Sequence, residues 1–182
     1  MNHNNGNFFG LLIDLLVDIF APAAKPGKDL VNQKIWDALT AKRIGMLHPA
    51  VRPAAINFIN MAADEGIYLR AFSTLRTYPE QAGLYAKGRT KPGKIVTYAK
   101  PGESYHNFGL ALDVVEIKNG KALWKNPNWT KIAQIGKKAG FEWGGDWKKF
   151  KDKPHFQMPF GKSLATLRGR YNAKPGQYVD LA

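Results

Sequence analysis

Apolar and polar positions recur with several distinct periods along this 182-residue chain. The first block, FFGLLIDLLVDIFA from Phe8 to Ala21, is apolar on most sides. Asp14 and Asp18 are four residues apart and so share one helical face. The block is too short to span a bilayer, and no Lys or Arg precedes it as a signal peptide requires. It predicts a helix docked on the domain or on a second subunit, with a membrane-surface element as the alternative. Pro22 to Gly27 reads as a linker, so the expected organisation is an apolar helix and linker over 1–27 and one domain over 28–182.

Within that domain the spacing predicts a helix from Leu30 to Arg43, stopped at Gly45, and another from Pro49 to Glu65, stopped at Gly66. Ile67 to Phe72 reads as a strand, and Tyr78 to Ala86 as a short helix. The stretch KGRTKPGKIVTYAKPGES is rich in Gly, Pro and Lys, which predicts loop with a short strand at Ile95 to Tyr98. Leu110 to Ile117 is the clearest strand, and Asn119-Gly120 is a turn signal. A helix from Asn128 to Ala139 meets its end at Gly140. A short strand at Phe156 to Met158, a helical piece near Lys162 to Arg168 and an irregular tail complete the chain. No glycine fingerprint of a doubly wound fold is present. The pattern predicts an α+β fold with a small, largely antiparallel sheet flanked by helices.

Composition narrows the chemistry. There is no Cys, which excludes disulfides, thiolate metal sites and cysteine nucleophiles. Four His are present: His3, His48, His106 and His155. The net charge of +13 is concentrated late in the chain, with +3 over residues 1–117 and +10 over 118–182. A field of that sign favours polyanionic partners: nucleic acid, an anionic membrane surface or an acidic cell-wall polymer. No nucleic-acid-binding motif accompanies the charge, so no nucleic acid is expected.

Two segments carry candidate chemistry: SYHNFGLALD, Ser104 to Asp113, and DKPHF, Asp152 to Phe156. His106 and Asp113 are seven apart, an odd spacing that puts them on opposite faces of an unbroken strand. They converge only if the chain bends, and Gly109 allows a bend. Asp113 lies in an apolar strand, where a carboxylate must be paired, hydrogen-bonded or metal-bound. His155 alone would read as a core or surface residue. Two His and one carboxylate together match the catalytic type of zinc site, whose fourth position is open. Zinc there would acidify a water and polarise a scissile carbonyl, with the site in a cleft at the sheet. Asp152 is the first candidate for general base, ahead of Glu142 and Glu103. His48 reads as a loop residue, and His3 is no candidate.

The spacing SxHxxGxAxD followed by DxxHF resembles the zinc D-Ala-D-Ala carboxypeptidases of the vancomycin-resistance type. It is most similar to the L-alanyl-D-glutamate endopeptidases of phages and bacteria. The likeness runs from Leu47 to Phe156 and includes LHP at Leu47 to Pro49, STLRTYPEQ from Ser73 to Gln81, and FEWGGDW from Phe141 to Trp147. The resemblance implies His106, Asp113 and His155 as Zn²⁺ ligands and Asp152 as general base. It implies Arg76 as the residue that meets a substrate carboxylate or the developing oxyanion. A surface pair between Arg76 and Glu80 is the competing reading. Ser104 is implied as a hydrogen-bonding residue in the substrate groove, and Gln81 is read as a brace for the Arg76 loop, both as supporting substrate-site residues. Trp143 is read either as cleft lining or as part of a tight turn.

The implied substrate is a peptidoglycan stem peptide, cut between L-Ala and D-Glu. The alternatives are a D-Ala-D-Ala carboxypeptidase and a non-catalytic zinc module that binds the wall. Only 26 residues follow Phe156, too few for the wall-binding module that similar lysins often add. The expected setting is a phage endolysin made in the host cytoplasm without a signal peptide and acting on the cell wall, with secreted bacterial origin as the alternative.

Overall fold

The structure is a computed structural model that describes residues 35–125 and 128–182. The readings on Phe8 to Ala21, on the linker and on the start of the Leu30 helix lie outside the described residues. The helix α1 spans Ala38–Ile44. Residues 35–37 precede it in non-helical conformation, because Asp37 caps the helix by accepting from the Thr40 amide. Asp37 also takes two hydrogen bonds from Arg70, at 2.9 and 3.1 Å, tying the cap to the first strand.

Helix α2, Arg52–Asp64, starts with a proline in its first turn. It buries Ala55, Ile56, Phe58, Ile59 and Ala62, the stripe expected of 3.6-residue spacing. Strand β1, Leu69–Ser73, follows. Helix α3, Tyr78–Ala86, is fixed by a capping box in which Thr77 and Glu80 satisfy each other's backbone. The stretch after α3 forms no strand at Ile95 to Tyr98. Its polar backbone groups turn to side chains instead: Arg89 donates to the Thr97 carbonyl and Gln81 to that of Ala99.

A short 3₁₀ turn, Tyr105–Phe108, leads into β2, Ala111–Lys118. Asn119 and Gly120 both take positive φ, 51° and 72°, and reverse the chain into β3, Lys121–Leu123. Helix α4 spans Trp129–Lys138. Strand β4, Glu142–Trp143, a 3₁₀ turn over Gly144–Asp146 and β5, His155–Gln157, precede the last helix, α5, Leu164–Ala173.

The sheet has the order β1-β2-β5-β4, with β3 also on β2, and every pairing is antiparallel. β2 is therefore central. The alternation of the pleat sends Leu112, Val114 and Phe156 to one face and Asp113 and His155 to the other. The first face packs on α2 and α4, where Phe58 lies 4.7 Å from Phe156 and 5.9 Å from Phe141, centroid to centroid. Burying each such ring stabilises the fold by roughly 2–3 kcal/mol. Gly136 of α4 makes this closeness feasible, since a Cβ there would sit 2.4 Å from the Phe156 ring. The packed face thus holds rigid the strands whose other face carries the polar residues.

Candidate metal centre and cleft

Three strands align their polar residues in one row. Asp113 stands opposite Ser73 on β1 and opposite His155 on β5. His106 reaches the same place from the 3₁₀ turn because Gly109, at φ 68° and ψ 21°, swings the chain between them. A side chain at Gly109 would also meet the His48 backbone nitrogen at 2.7 Å. The bend needed by the seven-residue spacing is therefore real, and only glycine fits it.

The result is a buried triangle. His106 Nε2 lies 3.2 Å from Asp113 Oδ1 and 3.2 Å from His155 Nδ1, and His155 Nδ1 lies 3.1 Å from Asp113 Oδ1. Ligands about 2.0–2.1 Å from a tetrahedral zinc stand roughly 3.3 Å apart, so the triangle fits that ion almost without movement. Among the described residues these three form the one group of His and carboxylate ligands suited to a metal.

The outer atoms of each ligand are also engaged. His106 Nδ1 lies 2.7 Å from the Thr74 carbonyl, to which it must donate, leaving Nε2 free for the metal. His155 Nε2 lies 3.0 Å from Gln157 Oε1, and Gln157 Nε2 donates to Glu142 at 2.9 Å. Glu142 faces Gln157 across β4 and β5, so it supports a ligand rather than acting as base. That chain fixes Nδ1 of His155 as the metal-facing nitrogen. Asp113 turns Oδ2 toward Arg76, 3.6 Å away.

Charge follows the geometry. Burial alone would raise the Asp113 carboxyl, but the neighbouring His106 and His155 hold it well below the usual carboxylate range. Burial pushes His106 down, and Asp113 offsets this only partly. Burial also opposes charge on His155, yet its bond to Asp113 wins and raises it. In the metal-free protein His155 is thus the ligand that holds a proton most strongly.

The triangle lies in a cleft of about 1350 Å³ whose lining includes Arg76, Ser104, Trp124, Trp147 and Asp152. Asp152 enters from the loop before β5, where its amide bonds the Gly144 carbonyl at 3.0 Å. Burial, and then the nearby charge of Asp113, push its carboxyl up to about 6. Arg76 does not pair with Glu80, which is occupied at the Thr77 cap. It is half-buried and donates to Gln81 Oε1 and Ser73 Oγ, both at 3.0 Å. Gln81 in turn donates to the Ala99 carbonyl at 2.7 Å. Ser104 caps the turn bearing His106 by accepting from its amide at 3.4 Å.

Trp143 takes the tight-turn reading. Its indole donates to the Lys153 carbonyl at 2.7 Å and its ring fills the space a Gly145 side chain would need. The cleft tryptophans are Trp147, 5.0 Å from the His155 ring, and Trp124. His48 bonds the Val179 carbonyl at 2.9 Å, far along the chain from the triangle's residues. Gln157 escaped the sequence reading; its only signal was a position two residues beyond His155, on the same strand face.

Comparison with known proteins agrees with this site. A family model described as D-alanyl-D-alanine carboxypeptidase matches residues 97–158, the stretch that holds all three ligands. The chain is 47% identical over 122 residues to the peptidoglycan L-alanyl-D-glutamate endopeptidase CwlK of Bacillus subtilis, covering 62% of this chain and 73% of that protein. It is 30% identical over 134 residues to the L-alanyl-D-glutamate peptidase of a Listeria phage, covering 68% of this chain and 44% of that protein. The crystal structure of the Serratia marcescens L-Ala D-Glu endopeptidase ChiX superposes with a TM-score of 0.52 at 25% identity, over 71% of this chain and 93% of that one. The chain belongs to the zinc peptidase family that contains the D-Ala-D-Ala carboxypeptidases and the L-alanyl-D-glutamate endopeptidases, and it is a peptidoglycan-acting zinc metallopeptidase.

Proposed function

We propose that this protein is an endopeptidase that hydrolyses the L-Ala to D-Glu bond of peptidoglycan stem peptides. The observation that carries the reading is the Asp152 carboxylate sharing one cleft with the buried His106, Asp113, His155 triangle. The name of the 47%-identical relative supports the choice of bond. The cleft of about 1350 Å³ has room for several residues of a stem peptide.

His106, Asp113 and His155 hold the zinc ion, which when bound polarises the scissile carbonyl and acidifies a water. Asp152 takes the proton from the attacking water. In the metal-free protein burial and the charge of Asp113 raise its carboxyl. A zinc ion held by the triangle would favour the ionised form, which is the one that accepts the proton. The protonated Asp152 then delivers that proton to the departing D-Glu nitrogen. Arg76, braced by Gln81 and Ser73, presents fixed positive charge to a substrate carboxylate or to the developing oxyanion. Ser104 holds the turn that presents His106.

The biological setting we propose is a phage endolysin that reaches the wall from the host cytoplasm, supported by the likeness to the Listeria phage peptidase. Digestion of purified peptidoglycan followed by mass spectrometry of the new termini tests the reading. Free L-Ala carboxyl ends and D-Glu amino ends support it. Released D-Ala would assign the protein to the carboxypeptidase branch, and no cleavage by zinc-loaded protein would favour a wall-binding module.

A further inference from the structure

Large exposed apolar side chains are not scattered evenly over the described surface. Ile95, Tyr98 and Phe150, exposed by 44%, 64% and 54%, all line the same cleft. Tyr98 comes from the loop after α3 and Phe150 from the loop before β5. Their rings meet edge to face, 5.4 Å apart, joining the two loops at the cleft mouth. Apolar surface that lines a cleft and stays exposed to water is stabilised when a ligand covers it.

The platform is held in place. The Arg89 guanidinium lies 3.9 Å over the Tyr85 ring and 5.8 Å from the Tyr98 ring. It also donates to the Thr97 carbonyl at 3.1 Å, which fixes the backbone beside Tyr98. Gln81, the residue that braces Arg76, donates to the Ala99 carbonyl on the other side. Phe150 is three residues from Trp147, whose ring lies tilted with its centroid 5.0 Å from that of His155, and two from Asp152. Phe150 thus shares a loop with Trp147 and Asp152, and the rings of Tyr98 and Phe150 both line the cleft that holds the triangle.

The chemistry of the substrate says what belongs there. In the wall, the L-Ala amino group is joined to the lactyl group of an N-acetylmuramic acid. Cutting on the carbonyl side of L-Ala leaves one residue, about 3.5 Å of extended chain, between the scissile bond and that substituent. A pyranose presents one apolar C–H face, which stacks on aromatic rings as other apolar surfaces do.

We propose that Tyr98 and Phe150 form a subsite for the glycan strand, stacking on the muramyl sugar next to the stem peptide. The proposal rests on the L-Ala–D-Glu reading for its placement. The subsite makes the enzyme select sugar-linked stem peptides over free ones, and it gives the protein affinity for glycan chains without any peptide.

The test is calorimetric binding of peptide-free glycan strands, prepared by amidase treatment of peptidoglycan, to the full zinc-loaded chain. The wild type binds them, and the Tyr98→Ala, Phe150→Ala double variant loses at least roughly tenfold in affinity, the factor equivalent to about 1.4 kcal/mol. The Tyr98→Phe variant, which keeps the ring, retains binding. Both rings are exposed, and circular dichroism checks that the double variant stays folded. No binding by wild type, or equal binding by the double variant, overturns the subsite. Binding that vanishes in high salt and ignores both substitutions also overturns it, because capture by Lys87, Lys91 and Lys151, which line the same cleft, then explains the affinity. A second arm compares cleavage of a muramyl-peptide with the same peptide lacking sugar, and the preference for the former falls about tenfold in the double variant. Glycan binding without any L-Ala–D-Glu cleavage would overturn the proposed bond and leave the subsite standing.

Discussion

Asp113 and His155 face each other directly across two antiparallel strands, with Asp113 Oδ1 3.1 Å from His155 Nδ1. The register of β2 against β5 sets that distance, and the packing of Phe156 against Phe58 behind the sheet holds it. The metal centre is thus as stiff as the core beneath it.

Zinc must displace the proton that Asp113 stabilises on His155. His155 is raised from its ordinary value near 6.5, so the site is proton-loaded below that range and opens as pH rises. Zinc affinity should therefore increase steadily between pH 6 and 8, with proton release that is larger at the lower pH. Calorimetry in two buffers of different ionisation enthalpy measures both quantities.

Gln157 fixes the tautomer of His155 and is itself fixed by Glu142. Gln157→Leu should keep the fold and weaken zinc binding about 10–100-fold, the usual cost of losing such a partner. A competition titration with a chromogenic chelator reads the change directly. Glu142→Gln should have a smaller effect in the same direction.

Asp152 titrates near 6 when folded against 3.8 unfolded, so the folded metal-free protein binds the extra proton between those values. The raised pKa makes its contribution favourable below about pH 4 and lost as pH rises through 6. Asp152→Asn should therefore gain stability over the metal-free wild type as pH goes from 4 to 7, by about 1–3 kcal/mol. Urea melts across that range provide the difference. In the zinc-loaded enzyme the same substitution should cut kcat by roughly 10²–10⁴-fold.

His48 has the opposite sign. Burial depresses its pKa below 6.5, the Val179 carbonyl opposes this, and Arg52 adds to the depression. The Ala50 amide donates to Nδ1 at 3.2 Å, a bond that protonation of that nitrogen removes. The neutral ring therefore stabilises the fold fully above pH 6.5, and that contribution is lost as pH falls through the lower folded value. His48→Gln should flatten the acid limb of the thermal stability profile below pH 6.5.

Gly109→Ala should cost about 1–3 kcal/mol, from a side chain at φ 68° and from the clash with His48. It should also lower zinc affinity, because His106 moves with the bend. Thermal melts with and without zinc separate the two losses.

Much of this centre was legible in one dimension. A lone carboxylate in the apolar run LALDVV had to be paired or bound, and the seven-residue gap to His106 demanded the bend that Gly109 makes. The ligands read from these two segments are the ones that meet. What escaped depends on partners distant in sequence. β3 and β4 have three and two residues and exist only through pairing with β2 and β5. Ile95 to Tyr98 has strand composition, but Arg89 takes its Thr97 carbonyl and Gln81 that of the adjacent Ala99. FEWGGDW holds two tryptophans, and only the intervening 3₁₀ turn decides that Trp147, not Trp143, faces the cleft. Gln157 gains its meaning from Glu142 across a register that no local pattern encodes.

The central claim is that His106, Asp113 and His155 hold the zinc on which peptidoglycan hydrolysis depends. Zinc titrated back into chelator-stripped wild type, with cleavage of purified peptidoglycan followed at each addition, tests it most directly. Activity should be absent in the stripped protein, rise linearly and saturate at one equivalent, and fail to return in Asp113→Ala at the same zinc concentrations. Full activity in the stripped protein, or saturation unaffected by Asp113→Ala, would contradict it.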